Sequence, residues 1–318
     1  MTLKCKDAYL HISSSIDDGM PTVLTEQVLL APGGTSIRAT PFVKWAGGKN
    51  HLLRYLLPLV PTNLQNYYEP FLGGGALFFF VLSKWAPFRA ILSDTNEELI
   101  LTYKAVKENP EELIRLLSRF QRQYSLSTSK EKYYYTVRGS KPSGRVERAA
   151  RFIFLNKTCY NGLFRVNRRG EFNVPFGRYK SPRILNEAGI NAASRALCAN
   201  SSIRLVDYQK ATETCDEGDF IYLDPPYDPV SETSGFTDYT ANGFGKEDQA
   251  KLAEWFTELV ERGCTVLLSN SDTSLVRQLY RQYVVKSIDV SRPISCKGRK
   301  RTGFRELIVL GKRRVGLG

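Results

Sequence analysis

The sequence predicts an α/β protein whose sheet domain is interrupted by a basic insertion. Apolar runs of strand length alternate with amphipathic helical patterns, and a long loop-rich stretch separates two groups of them. A chain of 318 residues has room for a core domain with a sizeable insert. We predict an N-terminal extension of unreadable structure over 1–40, a sheet domain over 41–104 and 200–318, and an insertion over 105–199.

The first group of elements predicts a strand, a glycine turn, a helix and a second strand. A strand is predicted over 66–71, before three consecutive glycines and a buried helix over 76–82. The next strand, over 90–93, ends at Asp94. Polar residues then mark the capped start of an amphipathic helix that runs to about Lys107.

The insertion carries most of the positive charge. Helices are predicted over 110–124 and 146–155, followed by loops and short hairpins in the glycine- and proline-rich stretch 161–182. The formal net charge of the chain is +13, and residues 138–183 hold twelve basic and two acidic residues. Aromatic residues are interleaved with these cations. This pattern is typical of a nucleic-acid surface, although a basic surface can also serve solubility alone.

The second group returns to alternating strands and helices. Its predicted strands cover 203–206, 220–223, 264–268, 284–290 and 307–310, and its predicted helices cover 246–262 and 273–283. With the first group they predict one sheet flanked by helices.

Composition argues against several classes of site. The six cysteines are far apart, none forms a C-x-x-C pair, and the chain has two histidines, so we expect no metal site. No apolar run reaches the length of a membrane span, and 1–40 lacks the order of a signal peptide. We therefore expect a reduced, cytoplasmic protein that does not bind a membrane.

A tetrapeptide of acid, two prolines and tyrosine follows the apolar run 220–223. It consists of Asp224, Pro225, Pro226 and Tyr227. Open α/β sheets hold ligands at the carboxyl ends of their strands. The prolines fix φ and donate no backbone hydrogen bond, so the turn offers acceptors beside a flat ring. This arrangement suits an exocyclic amino group on a planar heterocycle, and the alternative is a plain strand-ending turn.

Two further segments suggest a ligand site. Glycines between a strand and a helix allow close backbone approach, and Asp94 at the end of the next strand is placed to bind ribose hydroxyls. Asp94 could equally cap the helix that follows. The loop 41–49 contains Trp45 and two lysines; it either binds an anionic or planar ligand or packs its tryptophan into the core.

The motifs together resemble those of the adenine-N6 DNA methyltransferases, in the order typical of that family. They lie at 44–49, 69–75, 94–96, 160–179 and 224–227. The fourth is similar to the target-recognition stretch of the Dam methylases, which act on GATC, and 268–273 continues the likeness. The resemblance covers 41–312 and leaves the first forty residues unmatched.

The resemblance implies a fold and a cofactor. The fold would be the S-adenosylmethionine-dependent methyltransferase fold, a Rossmann-like mixed sheet with an inserted basic, mainly helical and hairpin DNA-recognition domain. S-adenosylmethionine would be bound by Trp45, Lys49, Phe71, Gly73, Gly75, Asp94 and Asp224. Asp224, Pro225, Pro226 and Tyr227 would be the catalytic residues, acting by direct transfer without a metal on an adenine flipped out of double-stranded DNA.

The resemblance also implies which residues contact the DNA. Arg165 would fork to a guanine, Lys44 would contact the first guanine, and Tyr160 and Asn161 would fill the gap left by the flipped base. The residues expected against a thymine methyl are Leu163 and Pro175, and Arg178 is expected on a phosphate.

Several departures leave alternatives open. Gly74 replaces a more usual alanine, and Phe164 and Arg168 differ from the residues of the best-known Dam relatives. One alternative is an adenine methylase of a restriction system with another short target. The other is a catalytically silent relative that only binds DNA.

Overall fold

A computed structural model of the chain describes residues 38–45, 47–85, 88–229, 244–290 and 304–313. The predicted extension over 1–40 lies outside the described residues except for its last three.

A seven-stranded mixed sheet forms the centre of the described chain. Its strands are β1 Asn66–Glu69, β2 Arg89–Asp94, β3 Ser201–Leu205, β4 Phe220–Leu223, β5 Thr265–Ser271, β6 Val284–Val290 and β7 Phe304–Gly311. The order across the sheet is β3-β2-β1-β4-β5-β7-β6. The first five are parallel, and β7 pairs antiparallel with both β5 and β6. This confirms the predicted fold class.

Helices cover both faces of the sheet and build the insertion. They are α1 Leu53–Leu56, α2 Ala76–Leu82, α3 Glu97–Glu108, α4 Pro110–Leu126, α5 Lys130–Gly139, α6 Arg145–Thr158, α7 Glu187–Asn200, α8 Tyr208–Thr212, α9 Lys246–Glu261 and α10 Ser274–Leu279. The helix starts follow local chemistry: the Asn96 side chain accepts the amide of Leu99 at the start of α3, and Pro110 begins α4.

The alternation of side chains along the strands produces two hydrophobic cores. On β4, Phe220 and Tyr222 point into one core while Ile221 and Leu223 point into the other. The first core is continuous with the buried side chains of the insertion, among them Phe154. Both faces of the parallel strands are therefore covered, as their unbroken apolar sequences require.

The insertion lies between α3 and β3 in the chain, and α6 and α7 pack against α3. Arg148 of α6 forms ion pairs with Glu97 and Glu98 at the start of α3. The insertion is thus anchored on the helix that follows β2. The boundaries proposed at 104/105 and 199/200 stay predictions.

Some predicted elements differ from the structure. Helices α5 and α7 were not predicted; both begin at side-chain caps, Ser129 and Asn186, that are weak signals in a polar stretch. Strand β5 continues to Ser271, beyond the predicted end at 268, because its polar side chains are buried and hydrogen-bonded. Helix α10 ends at Leu279 rather than at 283.

Other predicted ranges shift by a few residues at their ends. Strand β3 begins two residues earlier than predicted, and β7 extends the predicted 307–310 at both ends. The predicted hairpin in the insertion is present, with an antiparallel bridge between Val166 and Phe172.

The part of the chain that the structure describes lacks two kinds of feature. The described residues contain no helix long and apolar enough to cross a membrane. They also contain no group of three or more histidine, cysteine or acidic side chains that could hold a metal ion.

Candidate active site

Three acidic residues meet at one edge of the sheet. Glu69, Asp94 and Asp224 lie at or just beyond the carboxyl ends of β1, β2 and β4, and β1 pairs in parallel with both of the other strands. Because parallel strands end at the same edge, these carboxyl groups share one side of the molecule with the glycine turn.

The Asp224 carboxylate is held through one of its two oxygens. Lys49 Nζ lies 2.8 Å from Oδ1, and the Ser269 hydroxyl donates to the same oxygen at 2.8 Å. The side chain is 20% exposed, so it remains accessible. Burial raises the pKa of Asp224, and the Lys49 ammonium opposes that rise. Among the described contacts, Oδ2 is left for a ligand.

Lys49 is almost fully buried and links the loop 41–49 to the tetrapeptide. Its ammonium donates to the Gly47 carbonyl at 2.5 Å and lies 4.5 Å from the centroid of the Tyr227 ring. A buried ammonium needs such partners. The structure therefore brings together Lys49, Asp224 and Tyr227, which the sequence predicted as parts of one site.

A buried amide pair fixes the backbone of the tetrapeptide. Gln249 Nε2 on α9 donates to the Pro226 carbonyl at 2.8 Å, and Asn270 Nδ2 donates to Gln249 Oε1 at 3.0 Å. Asn270 Oδ1 in turn accepts the amide of Asp228 at 3.1 Å. Sequence reasoning missed this pair. Asn270 lies in the segment 268–273, which continues the likeness to the family, but the sequence assigned it no role.

The Tyr227 hydroxyl is also held. It donates to Glu306 Oε2 at 2.9 Å, and Glu306 Oε1 lies 3.4 Å from Nε2 of His51. Glu306 on β7 is buried. Sequence reasoning missed it, although an acidic residue inside an apolar strand sequence is itself a signal.

The glycine turn has the backbone geometry of a close-approach site. Gly73 and Gly75 have φ values of +46° and +63°, in the region that favours glycine. The Gly73 amide donates to Asp94 Oδ2 at 3.1 Å, and the Asn96 amide donates to Asp94 Oδ1 at 2.9 Å. Asn96 rather than Asp94 caps α3, which removes the alternative of Asp94 as a simple helix cap.

The residues at this edge fit a nucleoside cofactor. Trp45 lies directly over the turn, since a Cβ added at Gly73 would be 2.6 Å from its Cδ1 atom. Both oxygens of the partly exposed Asp94 carboxylate accept backbone amides, and the remaining lone-pair capacity suits a ribose hydroxyl. The Phe71 ring stacks on Tyr208 with centroids 5.5 Å apart and offers an apolar wall.

Glu69 is a site residue that sequence reasoning did not assign. It is buried at the end of β1 and accepts the Tyr67 hydroxyl at 2.8 Å. Burial raises its pKa to about 8, and the nearby Asp224 charge adds to the rise. At neutral pH this carboxyl group is mostly protonated.

We expect Glu69→Gln to flatten the pH dependence of stability. Between the ordinary pKa of 4.5 and about 8, the unfolded chain ionises Glu69 while the folded protein keeps it protonated. The stability that Glu69 contributes is therefore complete below pH 4.5 and is lost as pH rises through 8, at up to about 1.4 kcal/mol per pH unit. Urea unfolding at pH 5, 6, 7 and 8 measures the slope. Equal slopes in both proteins would contradict the assignment.

A buried asparagine joins the loop 41–49 to residues 160–179, which we call the recognition segment. Asn156 on α6 accepts the Lys44 amide and donates to the Lys44 carbonyl, both at 2.7 Å, and it donates to the Gly162 carbonyl at 3.1 Å. The Lys44 side chain passes over Gly162 and places Nζ 4.6 Å from the centroid of the Tyr179 ring. The predicted DNA contact Lys44 therefore lies beside the recognition segment.

The other predicted DNA-contacting residues lie on and around the hairpin. Tyr160 and Arg165 are exposed, Asn161 adopts a left-handed φ of 55°, and Leu163 is half-buried against the core. Pro175 is exposed, and its carbonyl accepts the Tyr160 amide at 2.8 Å. The exposed Arg178 also has a positive φ, 53°.

The Arg165 guanidinium is oriented by its neighbour across the hairpin. Its Nε donates to Asn173 Oδ1 at 2.7 Å, and Nη2 lies 3.4 Å from the Asn173 carbonyl. Among the contacts of the described residues, Nη1 has no protein partner, so the exposed edge formed by Nη1 and Nη2 can make a forked contact. Next to it, Phe164 stacks on Trp45 with centroids 5.8 Å apart, so the recognition hairpin touches the cofactor side of the molecule.

Comparison with known proteins agrees with this geometry. The family described as D12 class N6 adenine-specific DNA methyltransferase matches residues 45–294. The type II methyltransferase M1.LlaDCHI of Lactococcus lactis subsp. cremoris is 43% identical over 281 residues, covering 86% of this chain and 95% of that protein. The type II methyltransferase M.MjaIII of Methanocaldococcus jannaschii is 43% identical over 284 residues, covering 85% of this chain and 98% of that protein.

A third relative has a different name. The DNA adenine methylase of Escherichia coli strain K12 is 38% identical over 273 residues, covering 85% of this chain and 95% of that protein. Both the matched length and the identities are well beyond what a shared fold alone produces. The chain belongs to the D12 class of N6 adenine-specific DNA methyltransferases.

Proposed function

We propose that this methyltransferase modifies adenine N6 within GATC in double-stranded DNA, using a flipped base and direct transfer from S-adenosylmethionine. The observation that carries the proposal is the Asp224 carboxylate, held through Oδ1 by Lys49 and Ser269 and open through Oδ2, beside the Tyr227 ring. Such a substrate places the enzyme in the cytoplasm, at the nucleoid.

The tetrapeptide would activate the amino group by accepting its hydrogens. The lone pair of adenine N6 is delocalised into the ring, so the nitrogen is a poor nucleophile. Asp224 Oδ2 accepts one hydrogen, and the Pro225 carbonyl accepts the other, since the Pro226 carbonyl already accepts from Gln249. Two fixed acceptors favour the tetrahedral form of the nitrogen at no cost of reorganisation.

S-adenosylmethionine supplies an activated methyl group on a sulfonium with a neutral leaving group. Asp94 would bind its ribose, and Trp45, Lys49, Phe71, Gly73 and Gly75 would form the rest of its site. After transfer the amino nitrogen carries one proton too many. The raised pKa of Asp224 makes its carboxylate a better acceptor for that proton.

A base in a duplex reaches this site only when it is turned out of the stack. Tyr160 and Asn161 form a turn after α6, in which Tyr160 is 43% exposed and Asn161 is half-buried. A ring and an amide at this place are suited to fill the space that the base leaves. Tyr227 would then stack on the extruded adenine.

The choice of GATC is supported by the hairpin. The open edge of Arg165 matches O6 and N7 of a guanine, and Leu163 and Pro175 offer apolar contact for a thymine methyl group. Lys44 would contact the first guanine, and Arg178 a phosphate. The likeness of 160–179 to the Dam recognition stretch supports the same target.

Sequencing of DNA from a host without adenine methylation tests the proposal. We expect N6-methyladenine at GATC in cells that produce the enzyme, and none in cells that produce Asp224→Ala. Methylation confined to another motif would refute GATC and keep the reaction. Absence of N6-methyladenine with a soluble, DNA-binding protein would support the silent alternative.

A methylase with another short target, linked to a restriction enzyme, is the second candidate. Its link to a restriction system is supported by the two 43% relatives, which are named type II methyltransferases. The same sequencing decides between the two targets.

We expect Arg165→Ala to relax target choice. Loss of a forked guanine contact costs roughly 1–3 kcal/mol of discrimination, or about 5- to 150-fold in the ratio of kcat/KM for cognate over one-base-changed duplexes. Arg169→Ala is the matched control, since it removes an exposed arginine at the tip of the same hairpin. This control should weaken binding to cognate and one-base-changed duplexes by the same factor. An unchanged ratio in Arg165→Ala would remove Arg165 from base reading.

A further inference from the structure

Glu306 is an acidic residue buried on β7, the strand next to one edge of the sheet, and the reaction described above does not use it. It lies on β7, opposite Ser271 of β5 on one side and Ile288 of β6 on the other. Its residue exposure is 4%. Buried carboxyl groups are rare and are retained only with specific partners.

The two oxygens of Glu306 have separate partners. Oε2 accepts the Tyr227 hydroxyl at 2.9 Å, and Oε1 lies 3.4 Å from Nε2 of His51. The carboxyl group therefore contacts the partly exposed His51 through one oxygen and accepts the Tyr227 hydroxyl through the other.

Tyr227 is fixed at three points as a result. Its backbone lies between Pro226, whose carbonyl accepts from Gln249, and Asp228, whose amide donates to Asn270. The Lys49 ammonium lies over one ring face, 4.5 Å from the centroid. With the hydroxyl tied to Glu306, the far end of the ring is held in place, and the face opposite Lys49 is the one offered to a base.

We propose that Glu306 is a positioning residue for methyl transfer: through its hydrogen bond to the Tyr227 hydroxyl it holds in place the ring on which the target base stacks. The inference rests on the proposed role of Tyr227. A base that stacks on a fixed ring keeps its amino group at Asp224 and Pro225 for a larger fraction of time, so the effect falls on kcat.

Four variants test the proposal in a double-mutant cycle. They are Glu306→Leu, Glu306→Gln, Tyr227→Phe and the double variant Glu306→Leu/Tyr227→Phe, assayed on a duplex that carries the motif found by sequencing. Using that motif keeps the test independent of the GATC assignment. Tyr227→Phe keeps the ring and removes only the hydroxyl, so it reports on the bond even if Glu306→Leu does not fold.

We expect Glu306→Leu and Tyr227→Phe each to lower kcat by about tenfold with little change in KM for S-adenosylmethionine. Glu306→Gln keeps an acceptor oxygen and should retain at least half of the wild-type kcat. In the Tyr227→Phe background, Glu306→Leu should not lower kcat any further. Asp289→Asn is the matched control, an exposed carboxylate on the neighbouring strand β6 that should leave kcat unchanged.

Three results would overturn the proposal. They are a wild-type kcat in Tyr227→Phe, equal losses in Glu306→Gln and Glu306→Leu, and independent losses that multiply in the double variant. The proposed function fails separately, if Asp224→Ala remains active.

Discussion

Asp224→Ala is expected to lower the rate of methyl transfer by about 10³-fold or more while affinity for DNA changes little. The substitution removes the open oxygen Oδ2, which is the proposed acceptor for the amino group. Removal of one preorganised hydrogen-bonding group from an active site commonly costs about 10²–10³ in kcat. Asp224 should exceed that range because its carboxylate is also the proposed proton acceptor.

The same change leaves the Lys49 ammonium buried beside an empty space. Of the Lys49 contacts described above, the ion pair with Asp224 is lost. The hydrogen bond to the Gly47 carbonyl and the contact with the Tyr227 ring remain. An uncompensated buried charge destabilises a protein by several kcal/mol. A loss of activity must therefore be separated from a loss of folded protein.

Single-turnover methylation and urea unfolding on the same preparations make that separation. Asp224→Asn is the companion variant, because it keeps the volume and an acceptor oxygen but introduces a donor. We expect Asn to retain more stability than Ala and to be nearly as inactive. Full activity in a folded Asp224→Ala protein would refute the mechanism.

Asn156→Ala is expected to lower the free energy of unfolding by about 3–6 kcal/mol. Three backbone groups would lose their partner inside the protein: the amide and carbonyl of Lys44, and the carbonyl of Gly162. A buried polar group left unsatisfied costs roughly 1–3 kcal/mol. Asn156 is itself buried, so water does not replace these bonds without rearrangement.

Asn109→Ala is the matched control. Asn109 precedes α4, is exposed, and makes no side-chain capping bond. Its replacement should change stability by less than about 0.5 kcal/mol. Urea unfolding compares the two variants, and a similar small change in both would show that the Asn156 bonds contribute little.

The sequence predicted the parts of the site that lie in contiguous motifs. The apolar run before Asp224 is a fully buried strand, and the three glycines join β1 to α2 with two left-handed residues. Each of these features follows from the sequence of a few neighbouring residues. The mixed sheet and the insertion follow from the alternation of such short patterns.

The missed residues contribute to the site across long stretches of chain. Glu306 reaches a tyrosine 79 residues earlier, and Asn156 reaches a lysine 112 residues earlier. Glu69 stands inside a recognised motif, but its raised pKa depends on burial that no local pattern reports. Helix α7 was also missed, although its buried residues Ile190, Ala193 and Leu197 recur at helical spacing, so a local signal for this helix was present in the sequence.

The position of β7 in the sheet has a consequence for the order of events during synthesis. This strand lies between β5 and β6, which precede it in the chain and do not pair with each other. The ribosome therefore releases β5 and β6 before the strand that joins them exists. Tyr227 gains its Glu306 partner only when β7 inserts. A nascent chain accordingly orders the proposed catalytic tetrapeptide late, after the hairpin proposed to read DNA has already been made.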